Sequence, residues 1–201
     1  MFTVLPDKAS GDVFTESLWD SIKDNLNSGV MRPVSDVVLS VAASSVTLSS
    51  LPTDLQHLLI VVTARSSVAA TSENVMLRFN SDTGANYDYQ VLSAGSAMTA
   101  LESFGANQVN LAGIPGASSP AGRFGLMEVW VPSFGATDSQ KTAMVTNSRF
   151  RTDTTTDFAL QYVGGWWRNS AAITSVEFIL ASGQFVVGSR FTVYGLGVLG
   201  V

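Results

Sequence analysis

Apolar residues near the N-terminus recur every four positions, which is the spacing of one apolar stripe along an α-helix. The stripe consists of Phe14, Leu18, Ile22 and Leu26, and Trp19 widens it. Thr15 provides an N-cap, Gly29 provides a stop, and Pro33 prevents the helix from resuming. The spacing therefore predicts a helix over residues 15–27. So short a helix cannot bury its stripe within itself, so the stripe must pack against the rest of the chain or against a partner.

From Asp36 onward the apolar period changes to two, which is typical of β-strands. The predicted strands are residues 37–39, 45–48, 58–65, 75–79, 87–92, 124–131, 141–150, 158–166, 173–180 and 190–198. The continuous apolar run 58–65 suits a central strand. Residues 93–123 are rich in Gly, Ala, Ser and Asn and predict weak strands joined by long loops.

Eight to ten strands separated by polar turns favour an all-β fold, a two-sheet sandwich with a jelly-roll-like arrangement. Periodicity does not separate this arrangement from other Greek-key sandwiches. We therefore expect two regions: an N-terminal arm with one helix over 1–35 and a β-sandwich domain over 36–201.

Composition changes the picture in one respect, because the chain is poor in charge. Of its 201 residues, 46% are hydrophobic and only 13% are charged, against about a quarter in ordinary globular chains. Such surfaces are often covered by neighbouring subunits, although stable monomeric sandwiches also have them. The net charge is −5 and the Lys and Arg residues are scattered, so we expect no nucleic-acid partner.

The chain lacks cysteine, which excludes disulfides and thiolate metal sites. The N-terminus carries charges and no apolar core of signal-peptide length, and the apolar end 194–201 is too short to cross a bilayer. We expect no membrane partner and a soluble protein that is made and assembled in a cytoplasm.

Catalytic motifs are sparse. The single histidine, His57, is either a general base or a structural histidine at the edge of a strand, and a lone histidine favours the second interpretation. No Gly-x-Ser-x-Gly, phosphate loop or His-rich metal spacing occurs. A hydrolase would need two convergent carboxylates, and no spacing indicates a pair. The sequence predicts a protein that is not an enzyme and has no cofactor.

One loop carries several oxygen donors around Gly84. They are Asn80, Asp82, Asn86 and Asp88, weak candidates for calcium ligands. The glycine is misplaced for an EF-hand, and no acid occupies the twelfth position. The favoured interpretation is the tip of a hairpin, in which Asp and Asn bond the backbone and Gly supplies a positive φ. No required metal is predicted.

Two adjacent tryptophans, Trp166 and Trp167, precede Arg168 on a predicted strand. Neighbouring side chains on a strand face opposite sides, so one ring enters the core and the other faces solvent, a loop or a partner. An exposed Trp beside Arg is a usual interface anchor, and it also stacks on sugar rings. We expect this group to be an interface or a ligand contact, with burial more common than sugar binding.

Three segments resemble known proteins. Segment 12–27, with Trp19 and the sequence Asp24-Asn25-Leu26, is similar to the opening of many small virion proteins of tailed bacteriophages. Segments 78–87 and 188–195 also look like such proteins, in which a final strand ending in Tyr-Gly closes the domain. The resemblance implies a virion protein of the capsid decoration type or of the tail-fibre and adhesin type.

The sequence and the resemblance together suggest a capsid decoration (cement) subunit, forming a homo-oligomer, a trimer, in the virion. Its arm would dock on other virion proteins such as the major capsid protein. The predicted docking residues are Phe2, Phe14, Leu18, Trp19, Ile22 and Leu26. The alternative is a receptor-binding tail subunit, in which residues 93–123 or the two tryptophans contact a host glycan.

Overall fold

The computed structural model describes residues 31–52, 54–95, 97–150 and 158–198, together with Ser17 and Asp20. Ser17 and Asp20 are helical and exposed, and both lie within the helix predicted over 15–27. The predicted docking residues of the arm lie outside the described residues. They are Phe2, Phe14, Leu18, Trp19, Ile22 and Leu26. Among the described residues, no helix is long and apolar enough to span a bilayer.

The described chain forms an all-β sandwich of twelve strands. They are β1 (Arg32–Val38), β2 (Ser45–Leu48), β3 (Leu55–Ala64), β4 (Ser72–Phe79), β5 (Tyr87–Ala94), β6 (Met98–Ala106), β7 (Val109–Pro115), β8 (Gly125–Val131), β9 (Lys141–Phe150), β10 (Phe158–Trp167), β11 (Val176–Leu180) and β12 (Arg190–Val198). A large sheet has the order β1-β12-β3-β8-β9-β10-β5-β6, and a small sheet has the order β2-β11-β4-β7. Neighbouring strands are antiparallel.

The core lies between the sheets, where β7 of the small sheet packs against β5, β9 and β10. Alternate residues of the long strands point inward and are buried, as period-two sequence requires. Leu58, Ile60 and Val62 of β3 are fully buried, and Phe178 and Phe191 meet across the core with ring centroids 5.4 Å apart. We call the opposite side of the large sheet, which faces away from the small sheet, the outer face.

The first strand begins earlier than the sequence predicts. Strand β1 pairs with β12 from Arg32 onward, so the sheet includes residues 32–35, which the sequence analysis assigned to the arm. Pro33 lies within this strand, where it is tolerated because β1 is at the edge of the sheet. The arm therefore leads directly into an edge of the sandwich.

The prediction of weak strands and long loops over residues 93–123 is wrong in part. Two of the twelve strands lie there, β6 and β7, and only two residues separate them. Strand β7 is buried along its whole length, and it packs against β5, β9 and β10 of the large sheet. Its Gly, Ala and Asn content hid this burial, since these residues carry little of the apolar pattern from which strands are predicted.

The predicted hairpin at residues 80–86 is also wrong. Strand β4 belongs to the small sheet and β5 to the large sheet, so the loop between them is a corner that joins the two sheets. The sequence pattern of a hairpin tip and that of a corner are alike, because both need polar residues that bond a turning backbone.

Candidate functional site

Strand β10 presents its two tryptophans to opposite sides, as the alternation predicted. The side chain of Trp167 is 1% exposed in the core, whereas Trp166 on the outer face is 49% exposed. The indole N–H of Trp167 donates to Asp82 Oδ2 over 2.7 Å. The inner ring is therefore a structural residue, and the outer ring is the one that is free to contact a ligand or partner.

Trp166 borders a groove on the outer face with a volume of about 470 Å³. Four strands build it: β5, β6, β9 and β10. Its lining residues are Asp88, Tyr89, Gln90, Glu102, Phe104, Thr142, Ala143, Met144, Gly164, Gly165 and Trp166. Phe104 is 74% exposed, so the groove has two accessible aromatic rings. We refer to this feature as the groove throughout.

Gly164 forms the floor of the groove. It lies on the outer face of β10, directly between Met144 of β9 and Gln90 of β5. A Cβ atom at this position would meet no atom within 4 Å, so packing does not require a glycine there. The next residue differs, because a Cβ at Gly165 would lie 2.8 Å from Cγ1 of Val109 in the core. A strand interior normally disfavours glycine, and the packing around Gly164 does not explain why a glycine occupies this position.

The polar side chains of the groove include two carboxylates, those of Asp88 and Glu102. Asp88 is held in place, because its Oδ1 accepts from the backbone N–H of Gly105 over 2.8 Å and lies 3.6 Å from Nη1 of Arg168. Arg168 also donates to the carbonyl oxygen of Ala85. Gln90, Glu102 and Thr142 are exposed along the same surface. No Lys, Arg or His is among the described residues that line the groove.

The structure therefore gives different positions to the three neighbouring residues that the sequence analysis selected on this strand. Trp166 lines the groove, Arg168 lies beside it and positions Asp88, and Trp167 belongs to the core. Sequence reasoning missed Phe104, Met144, Gln90 and Glu102, which strand pairing brings together. The one available signal was the pair of glycines within a predicted strand, since such glycines often mark a close approach.

Asp82 is the centre of the corner loop between β4 and β5. Its Oδ1 accepts from the N–H of Gly84 over 2.8 Å, and its Oδ2 accepts from Asn86 over 2.9 Å as well as from Trp167. Burial raises the pKa of Asp82, but the hydrogen bonds from Trp167, Asn86 and Gly84 outweigh it, and the net pKa lies below the ordinary value. Because these hydrogen bonds hold the corner loop and the indole of Trp167, the carboxylate of Asp82 has a structural role.

The other candidate ligands of that loop are dispersed. Oδ1 of Asn80 accepts from the N–H of Thr174 over 2.8 Å, and Asp88 faces the groove. The positive φ angles belong to Asn80 and Ser81, at 51° and 55°, and not to Gly84 as predicted. Within the described part of the chain, no group of three His, Asp or Glu side chains is arranged to hold a metal ion.

Tyr87 and Phe79 complete the aromatic cluster around Trp167. The ring of Trp167 lies 5.6 Å from that of Phe79 and 6.4 Å from that of Tyr87. Burial raises the pKa of Tyr87 to about 12, so its hydroxyl stays protonated and donates to the carbonyl oxygen of Phe79 over 3.3 Å. The cluster ties the corner loop, β4, β5 and β10 together beneath the groove.

His57 has a structural contact. Its Nδ1 accepts from the backbone N–H of Ser133 over 3.0 Å, and its ring lies 5.6 Å from that of Trp130. This bond uses the lone pair that a general base would need at that nitrogen.

A second exposed feature lies at the other end of the outer face. We call it the apolar end, and it consists of Leu92, Met98, Leu126, Phe150 and Phe158. All five side chains are exposed. The rings of Phe150 and Phe158 are 4.8 Å apart on paired strands, and Arg123 lies over the ring of Phe150 at 5.3 Å. About eight residues of β10 separate Phe158 from Trp166, which is roughly 27 Å at strand spacing. Leu92 is the member nearest the groove, two residues from Gln90 on β5.

Comparison of this chain with protein-family models, with curated proteins and with solved structures finds no match. What the chain does is therefore inferred from the groove, the apolar end and the sequence pattern.

Proposed function

We propose that this chain is a non-enzymatic structural subunit of a tailed-bacteriophage virion, a capsid decoration subunit that assembles through the apolar end and docks through its N-terminal arm. The observation that carries the proposal is the apolar end. Strand register brings these side chains together on the outer face. Phe150 pairs with Phe158, and the half-buried Leu160 and Ala94 lie with Ser148 in the row between Leu126 and Met98. Contiguous exposed apolar surface of this kind marks sites of interaction with other proteins.

The size of the apolar end supports this assignment. Five strands at about 4.8 Å spacing and some five residues at about 3.3 Å rise give roughly 400 Å² of projected area. That is within the range of about 300–600 Å² found for the largest, often functional, patches of soluble proteins. Burial of such a surface yields about 25 cal/mol per Å² of apolar area removed from water.

Strand β6 adds to the case for a subunit contact. It forms one end of the large sheet, and nearly all of its residues are exposed, including Met98 at 68% and Leu101 on its other side. Exposed apolar edge strands tend to pair with other chains, and proteins usually protect them. A homo-oligomer, which we propose to be a trimer, would cover this edge together with the apolar end.

We also infer a jelly-roll-like arrangement of the sandwich. Four strands of the large sheet have the order β1-β12-β3-β8, and the small sheet has the order β2-β11-β4-β7, so strands β1 to β4 alternate between sheets. Strands β5–β6 and β9–β10 extend the large sheet beyond this eight-stranded unit. Jelly rolls occur in viral capsid and lectin domains, so the architecture is compatible with either role and decides neither.

Light scattering after size exclusion tests the subunit contact. We expect the full chain to be an oligomer, and the double substitution Leu126→Ser with Phe158→Ser to yield a monomer with an unchanged melting temperature. Val41→Ser is the matched control, because Val41 is exposed between β1 and β2, far from the apolar end in sequence. A full chain that stays monomeric at every concentration contradicts the proposed contact.

Deletion of residues 1–30 tests the arm. The truncated chain should stay β-rich and should no longer sediment with particles built from the major capsid protein. Trp19→Ala alone should weaken that binding by about 2–4 kcal/mol, the scale of a buried aromatic anchor. If the truncated chain aggregates or melts far lower, the arm belongs to the core of the protein and the docking proposal is wrong.

A receptor-binding tail-fibre or adhesin subunit is the second candidate. One observation favours it, the groove beside Trp166, whose aromatic and polar lining differs from the apolar end. The number of copies in each particle separates the two functions, because a shell subunit is present in hundreds of copies and a tail subunit in a few to dozens.

A further inference from the structure

We propose that the groove binds carbohydrate, with a neutral hexopyranose ring held in the space lined by Gly164, Trp166 and Phe104. This inference uses the geometry of the groove alone. It deepens the second candidate function and does not depend on the arm or on the apolar end. A decoration subunit with this groove would offer a sugar-binding surface on the particle.

The shape of the groove fits a small ligand. Its volume of about 470 Å³ lies within the range of about 300–1,000 Å³ typical of small-molecule sites. The space exists because Gly164 has no side chain between Met144 and Gln90, and a Cβ atom there would meet no atom within 4 Å. The sequence thus keeps glycine, an unfavourable strand residue, at a position where a side chain would project into the groove.

The walls match the two kinds of surface on a pyranose ring. Its C–H groups form an apolar face, and the negative face of an aromatic ring attracts their partial positive charge. Trp166 and Phe104 provide two such rings, both accessible. The hydroxyl groups around the sugar need acceptors and donors, which Asp88, Gln90 and Glu102 provide.

Charge selects a neutral sugar over an acidic one. The groove contains the carboxylates of Asp88 and Glu102 and, among its described lining residues, no basic side chain. The nearest cation, Arg168, lies 3.6 Å from Asp88 and donates to the carbonyl of Ala85. A uronic or sialic acid would place its carboxylate against these acids, and like charges repel.

The same charges disfavour a second copy of the chain as the occupant. The chain carries a net charge of −5, and a protein contact would have to desolvate Asp88 and Glu102 against an acidic partner. A sugar instead brings hydroxyl donors to these carboxylates, so their hydrogen bonds to water are replaced.

Titration of the full chain with a panel of tetrasaccharides tests the proposal. The neutral members are oligomers of glucose, galactose, mannose and N-acetylglucosamine, and the acidic member is the galacturonic acid tetramer. Quenching of tryptophan fluorescence and calorimetry report binding. We expect at least one neutral member to bind and the acidic tetramer to bind at least about tenfold more weakly. Binding of the neutral sugar should not change with salt concentration.

Three variants locate the binding. Gly164→Val adds a side chain to the floor of the groove at a position where a Cβ meets no atom within 4 Å, and Trp166→Ala removes one wall. Each should therefore weaken binding at least about tenfold while the protein stays folded. Leu126→Ser at the apolar end is the matched control and should bind as the unmodified chain does. Gly164→Val should leave the oligomeric state and particle binding unchanged, which distinguishes a failure of this proposal from a failure of the proposed virion role.

Three results would overturn the inference. The first is no binding by any neutral tetrasaccharide at about 10 mM, a concentration above a weak Kd of about 1 mM. The second is unchanged binding by Gly164→Val, which would place the sugar elsewhere. The third is tighter binding of the galacturonic acid tetramer than of every neutral sugar, which would contradict the role of Asp88 and Glu102.

Discussion

Strand β10 has one glycine and one tryptophan on each of its two sides, and the two sides differ in what these residues contact. On the inner side, Gly165 is required because a Cβ would meet Val109, and Trp167 is buried and bonded to Asp82. On the outer side, Gly164 has open space above it and Trp166 is half exposed. The inner pair is explained by the protein's own packing. The outer pair is not, which is why we look for its explanation in a ligand.

Replacing each tryptophan in turn should give the largest difference in stability between the two sides of β10. Trp167→Ala should lower the free energy of unfolding by about 3–5 kcal/mol, because it leaves a cavity in the core and an indole-sized gap beside Asp82. Trp166→Ala should change it by less than about 1 kcal/mol, as surface substitutions do. Urea unfolding of both variants provides the measurement, and equal losses would show that the outer ring is also structural.

The hydrogen bond to the inner ring should make stability depend on acid. The folded pKa of Asp82 lies below its ordinary value, so its contribution is present above the unfolded pKa of about 3.9 and is lost as pH falls through the folded value. Asp82→Asn should lower the free energy of unfolding by about 1.5–3 kcal/mol at pH 7, the scale of a hydrogen bond to a charged group. It should also reduce the loss of stability on going to acid pH. Thermal melting from pH 7 to pH 3 gives both quantities. An unchanged slope in the variant would assign the acid sensitivity to other carboxylates.

Replacing the two glycines should give the smallest changes in the free energy of unfolding, and the two changes should have opposite signs. Gly165→Val should destabilise by about 1–3 kcal/mol through overpacking against Val109. Gly164→Val should stabilise by about 0.5–1 kcal/mol, because a β-branched residue suits an open strand position better than glycine. Thermal unfolding compares the two. A loss of stability in Gly164→Val would mean that this glycine is a packing residue after all, and that the groove is a by-product of the fold.

The residues of the candidate site could be predicted from the sequence pattern only in part. The alternation along β10 predicted that one of the two tryptophans would be exposed, and Trp166 lines the groove. The pattern offered no means of finding Phe104, which lies about sixty residues earlier in a segment of weak strand signal. Phe104 lines the same groove as Trp166 only because β6 pairs with β5 and β5 pairs with β10.

By itself, the sequence determined most of the strands outside residues 93–123 and which side chains face inward on the long ones. Strand β9 covers residues 141–150, as its alternation predicts, because side-chain direction in a strand follows from the local backbone. The tertiary structure alone decided which strands are neighbours. It made the loop after β4 a corner between sheets, buried β7 in spite of its weak pattern, and assembled the groove from four strands. The physical reason is that strand pairing depends on contacts between residues far apart in the chain, and local periodicity carries no information about the partner.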